Sequence, residues 1–195
     1  MSGRAARWLG ALALGAAVAV PASVLVSRGL QAGRSGDGAR CKSNLGDIRA
    51  ACLAYAADNG GELPDSLDRL FPDYVVSHRV FSCPLAPAAC EDFPAGTASE
   101  RSSSYALEAG LRADMPGEFV LAYEKSVANH GGGGFNSICL GGSVQWRDAS
   151  ALASFQAELA GQRQTLEDCR QKGAPLPVDP AKLKALDLQK RKTKP

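Results

Sequence analysis

The chain has 195 residues, with 22 Lys and Arg against 20 Asp and Glu, a length that suits one domain with extensions. Its charge is segregated: residues 1–42 carry +5 and residues 181–195 another +5, leaving −8 on residues 43–180. An acidic body between basic ends excludes nucleic acid as the body's ligand, because phosphate contacts require a basic face.

Trp8 to Val26 is a run of 19 residues without a charge, preceded by Arg4 and Arg7 and followed by Arg28. Such a run spans a bilayer. It also fits a signal peptide with a small-residue cleavage region at Val20-Pro21-Ala22. Both readings place the rest of the chain outside the cytoplasmic membrane, and they differ in whether it stays attached. Residues 1–28 are therefore read as a transmembrane anchor or signal peptide. Four glycines fall between Ser27 and Arg40, each weakening a helix by roughly 1 kcal/mol relative to Ala, so residues 29–40 are expected to be a flexible tether.

From Cys41 the pattern changes. Leu45, Ile48, Cys52 and Tyr55 recur at helical spacing and form the apolar stripe of an amphipathic helix. Asp58-Asn59-Gly60-Gly61 supplies the left-handed residues that close it, and Pro64 prevents resumption. Asp65 to Leu70 suggests a short second helix stopped by Pro72. Val80-Phe81 is a brief strand candidate, and residues 84–102 have loop composition. Residues 103–108 and 118–124 read as strands. Residues 129–134, Asn-His-Gly-Gly-Gly-Gly, read as a mobile loop. Residues 136–140 and 143–147 flank Gly141-Gly142, a hairpin signal. A two-residue loop pairs Leu140 with Ser143. A three-residue loop pairs Leu140 with Val144 and Ile138 with Trp146. Asp148 to Gln171 reads as a helix with Leu152, Phe155 and Leu159 on its apolar stripe and Leu166 farther on, ended by Gly173 and the prolines up to Pro180. The basic end, Gln189 to Pro195, is a solvated tail or a contact for anionic headgroups.

A helix, an irregular segment, then antiparallel strands define an α+β plan. The core face is expected to bring Leu45, Ile48, Cys52 and Tyr55 against the sheet that includes Trp146. The order Cys41-Lys-Ser-Asn44-Leu45, Ile48, Tyr55, Asp58-Asn-Gly-Gly61, Leu63-Pro64, Phe81-Ser-Cys83-Pro84, Ser104-Tyr105, His130-Gly-Gly and Leu140-Gly-Gly-Ser-Val-Gln-Trp146 resembles the bacterial prepilin-like or pseudopilin proteins of type II secretion and type IV pili. The nearest subgroup ends in a His…Asp-Gly hairpin motif. Gly141 stands where that motif has Asp, and the usual prepilin peptidase signature is absent. The resemblance implies a pilin-like domain over residues 41–148, followed by a C-terminal helix at 149–172 and a Pro-containing basic tail at 173–195. It also implies a non-enzymatic, envelope-associated structural or assembly protein, anchored in the inner membrane through residues 8–26 with its domain in the periplasm. Its partners would be other proteins, or copies of itself, in an envelope assembly. The alternative is a secreted or periplasmic module binding a peptide or glycan.

The chain has six cysteines, and export would favour disulfides among them. Cys41 and Cys52 lie about 16 Å apart along one helix, too far to bridge. Cys83 and Cys90 enclose a short Pro-containing loop and are the best local pair. A link from Cys83 to Cys41 would instead tie that loop to the start of the domain helix. Cys139 and Cys169 receive no assignment. There is no Cys-x-x-Cys, and His78 and His130 are the only histidines, so no metal ligand set is expected. No sequence logic places a carboxylate, Cys or Ser beside His130. No catalytic or cofactor-binding set is assigned.

Overall fold

The computed structural model describes residues 22–86 and 103–182, with backbone alone for 22–37. Two helices and four strands appear in the order α1 (Ala22–Asp58), β1 (Tyr105–Leu107), β2 (Val120–Glu124), β3 (Gly134–Cys139), β4 (Val144–Asp148) and α2 (Leu152–Lys172). Everything discussed from Cys41 onward lies in the compact unit Arg34–Pro195. The sheet is an antiparallel meander, β1-β2-β3-β4. The α+β expectation therefore holds at the level of architecture. Among the described residues no helix is long and apolar enough to cross a membrane, and residues 8–21 of the apolar run lie outside them.

α1 differs from the expected tether. It is helical through residues 29–40 despite their glycines. No proline interrupts it between Ala22 and Asp58, and propagating a helix from a packed segment is far cheaper than nucleating one. Its end follows expectation. Gly60 and Gly61 take φ of 64° and 90°, and the Gly61 N–H returns to the Ala56 carbonyl at 2.8 Å.

The α1 stripe Cys41, Leu45, Ile48 and Cys52 is fully buried. It covers the sheet side that carries Tyr105, Leu107, Ala122, Ile138 and Leu140. Each large apolar side chain enclosed this way contributes about 1.5–3 kcal/mol. Burial pushes the Cys52 thiol up to about 12. Tyr55 departs from the stripe. It is half-buried and meets Tyr74 edge-on, with centroids 5.5 Å apart, just after a 3₁₀ turn, Leu67–Leu70, that occupies part of the expected second helix.

α2 covers the opposite side. Phe155 and Leu159 pack with Val120 and Phe135, and β3 is consequently buried along its whole length. The strands around Val120 shift register relative to Ala122. The Gln162 amide fills the gap, donating to the Val120 carbonyl at 2.9 Å and accepting from the Val120 N–H at 2.8 Å. Next to it, Arg163 holds the buried Glu108 through two N–H donors at 2.8 and 2.5 Å.

The hairpin forms, but in neither expected register. Ile138 pairs with Val144 and Asn136 with Trp146, so Leu140-Gly141-Gly142 is the loop. Leu140 and Gly141 are claimed elsewhere: their N–H groups donate to the Phe119 and Gly117 carbonyls at 2.9 and 2.8 Å. Trp146 stays on the side that carries Asn136 and Ile138, but one pair farther from the hairpin loop than expected, and is 43% exposed. It lies over the start of β3, where a Cβ on Gly134 would sit 2.7 Å from the indole and 2.2 Å from the Arg147 carbonyl oxygen. Two further expectations change type. Val80-Phe81 belongs to a 3₁₀ turn, His78–Phe81, rather than a strand. The segment expected as a mobile loop, residues 129–134, begins inside a 3₁₀ turn, Val127–His130, closed by Gly131 at φ 65°, and ends in β3. After Gly173 the chain returns along the domain, with the Asp179 N–H on the Asp114 carbonyl at 2.8 Å. The basic residues from 183 onward lie outside the described residues.

Two substitutions test this packing. Leu45→Asp places a carboxylate where exposure is 0%. Such burial costs several kcal/mol against about 5–15 kcal/mol of total stability, so the variant should show no cooperative melt by circular dichroism. Gln162→Ala strands the N–H and C=O of Val120. Urea denaturation should show a loss of about 2 kcal/mol, and an unchanged midpoint would mean that water replaces the amide.

Candidate functional site

A polar layer is enclosed on the α1 side of the sheet. On α1, Asn44 lies about one turn beyond Cys41. Its amide donates to the Ser82 carbonyl at 2.9 Å and the Tyr105 hydroxyl at 3.2 Å. Ser103 adds a second clamp, its Oγ donating to the Phe81 carbonyl and accepting from the Tyr105 N–H, both at 3.0 Å. Residues 81–83 are thereby fixed between α1 and β1, and the Cys83 Sγ sits 2.7 Å from the Cys41 Sγ. Both thiols are fully buried.

Glu124 ends β2 on the same side, opposite Tyr105 in register. Its side chain is 0% exposed. The Ser126 Oγ accepts the Ala128 N–H at 3.1 Å and starts the turn that brings His130 back onto it. His130 Nε2 lies 2.9 Å from each Glu124 oxygen. Oε2 also receives the Asn136 N–H at 2.6 Å and its Nδ2 at 3.1 Å. Asn136 is 1% exposed, and its Oδ1 has no partner. The Trp146 ring closes the outer wall, edge-on to the His130 ring at 5.1 Å between centroids.

The electrostatics make this layer selective about where charge can sit. Cys41 is pushed up by its hydrogen bond to Cys83, by burial and by the Glu124 charge. Cys83 is pulled down by the same hydrogen bond, against burial and Glu124. Burial, and next the charge at Cys41, also raises Tyr105. A ligand atom from each of Cys41, Cys83, Glu124 and His130 lies within 4.8 Å of every other.

The sequence reading anticipated only part of this arrangement. Cys90 lies outside the described residues, so the Cys83–Cys90 pair is not seen, and the thiol facing Cys83 is that of Cys41. His130 does have a carboxylate beside it, six residues earlier. The available signal was the position of Glu124, in phase with Ala122 on the core side of β2. Cys139 is buried in β3 and Cys169 is half-exposed on α2. A separate cleft of about 360 Å³ lies between β1, β2 and α2, lined in part by Tyr123, Phe155, Gln156 and Arg163. No family model, curated protein or solved structure matches the chain.

Asn136 provides a test of the polar layer. Asn136→Ala removes one donor from the buried Glu124 and keeps the backbone N–H, so chemical denaturation should show a loss of about 1–3 kcal/mol. Asn136→Asp sets a second carboxylate against the first and should cost more at neutral pH. One of those two carboxyls then has a folded pKa above its unfolded value. The repulsion is therefore present above that folded pKa and relieved as pH falls through it. The gap between Asn136→Asp and Asn136→Ala should narrow on acidification. A gap independent of pH would show that the introduced carboxylate does not face Glu124.

Proposed function

We propose that the chain is a non-enzymatic, envelope-associated pilin-like structural or assembly protein, related in kind to those of type II secretion and type IV pili. It is held in the inner membrane by residues 8–26 and carries its α+β domain in the periplasm. The observation that supports this reading best is α1 itself. Its buried stripe, Cys41, Leu45, Ile48 and Cys52, lies against an antiparallel sheet, the helix-on-sheet plan that the resemblance implies.

The runner-up is a secreted or periplasmic module that binds a peptide or glycan. The cleft between the sheet and α2 favours it, because the aromatic walls of Tyr123 and Phe155 and the polar ends of Gln156 and Arg163 line one opening.

Membrane fractionation combined with intact-mass measurement separates the two. The pilin-like reading expects the full-length mass in a pellet that resists high salt and is released by detergent, migrating there as self-associated or partner-bound species. Full-length protein in the cytosolic soluble fraction would overturn it. A soluble mature chain beginning near Ser23 would overturn the anchor and favour the binding module.

A further inference from the structure

We propose that Cys41 Sγ, Cys83 Sγ, Glu124 Oε1 and His130 Nε2 ligate one divalent zinc-class ion, forming a closed, four-coordinate structural centre between α1 and the sheet.

The donors come from four separate parts of the chain: α1, the segment after the 3₁₀ turn His78–Phe81, the end of β2, and the turn Val127–His130. Their ligand atoms converge to within 4.8 Å of one another, three of the four residues are buried, and the His130 side chain is 7% exposed. Zinc takes sulfur at about 2.3 Å and nitrogen or oxygen at about 2.0–2.2 Å in tetrahedral geometry, which sets donor–donor edges of about 3.3–3.8 Å. Reaching this geometry from the present thiol separation of 2.7 Å requires the pair to open by about 1 Å. Two thiolates with an imidazole select zinc over magnesium or calcium, which prefer all-oxygen sets.

The surroundings of Glu124 distinguish the site from a chance cluster. Asn136 directs its N–H and Nδ2 to Oε2, at 2.6 and 3.1 Å, while His130 Nε2 lies 2.9 Å from both carboxylate oxygens. Oε1 thus takes no donor from Asn136 and is the oxygen left for an ion. This is the outer-shell support that ligating carboxylates show. A dication among the four donors offsets the repulsion between the Glu124 carboxylate and two neighbouring thiolates. The step balances simply. The ion enters, the two thiol protons leave to solvent, and the imidazole proton at Nε2 moves to Nδ1, so that Nε2 donates its lone pair. A Cys41–Cys83 disulfide is the competing state. It would consume both sulfur donors and leave Glu124 and His130 against a neutral bridge, so bridge and ion exclude each other.

The test uses the full chain, extracted in detergent without chelator or added reductant. Elemental analysis should give about one zinc per chain. Cys41 and Cys83 should resist alkylation until a chelator is added, whereas Cys169 should react with or without it. Metal-free, reduced protein titrated with Co²⁺ should develop thiolate-to-cobalt charge-transfer absorption together with the visible bands of a tetrahedral ion. Cys83→Ser should abolish the charge-transfer band contributed by that sulfur. Asn136→Ala retains all four ligands and should weaken binding about 10–100-fold. If the Cys83→Ser variant does not fold, chelator-dependent alkylation of the wild-type chain still decides the matter. Two results would overturn the proposal: reduced wild-type protein without a tetrahedral cobalt spectrum, or native protein whose peptide map joins Cys41 to Cys83.

Discussion

A carboxylate with no access to water is the constraint around which this domain is arranged. Glu124 sits at the end of β2 on the α1-facing side of the sheet, a position where strands ordinarily place an apolar side chain. Leaving an ionised group there without partners would cost several kcal/mol, a large part of what a domain of this size has available. The neighbouring structure meets that demand. The 3₁₀ turn after β2 brings His130 onto the carboxylate, and β3 starts where the backbone and side chain of Asn136 both reach Oε2. Gly134 lets Trp146 settle over the start of that strand, and Trp146 in turn shields His130. The glycines after His130 therefore form a turn that positions a side chain.

The same layer couples parts of the chain that are distant in sequence. Asn44 and Ser103 fix residues 81–83 through their carbonyls, and this is why Cys83 meets Cys41 across 42 positions. Ser82 and Cys83, just after the 3₁₀ turn His78–Phe81, belong to no strand or helix. They are held by Asn44 on α1 and by Ser103, just before β1. Polar contacts in a low-dielectric interior act strongly when complete and are costly when one is missing, so this layer links helix, loop and sheet as a unit.

What the sequence disclosed follows from the range of the forces involved. The α1 stripe and the Leu152, Phe155 and Leu159 stripe of α2 repeat every three or four residues, with Leu166 farther on; all are buried as expected except Tyr55, which is half-buried, and Leu152, which is 39% exposed. The existence of the hairpin could likewise be read from Gly141-Gly142. Its register could not, because Leu140 and Gly141 are paired with Phe119 and Gly117, about twenty residues away. Trp146 was expected inside from a register that paired it with Ile138; it pairs with Asn136 instead, and the missing Cβ of Gly134 makes room for its ring. The tether expected at residues 29–40 rested on glycine propensity, a weak prior that a contiguous helix overrides. Of the candidate site, Glu124 and His130 are near neighbours whose phase on strand and turn was readable. The meeting of Cys41 with Cys83 depends on two side-chain clamps that no local pattern encodes.

The Gln162 clip on Val120 also bears on the order in which the domain can be completed. Sheet and α1 are synthesised first, and α2 last. Until Gln162 and Phe155 have emerged, the side of β3 bearing Phe135 and the register shift at Val120 have nothing over them. A nascent chain that has made all four strands therefore still shows an open apolar sheet face and two unanswered backbone groups. α2 acts as a closing cover, and the interval before its arrival is when this chain is most exposed to capture by chaperones or by the edges of its own neighbours.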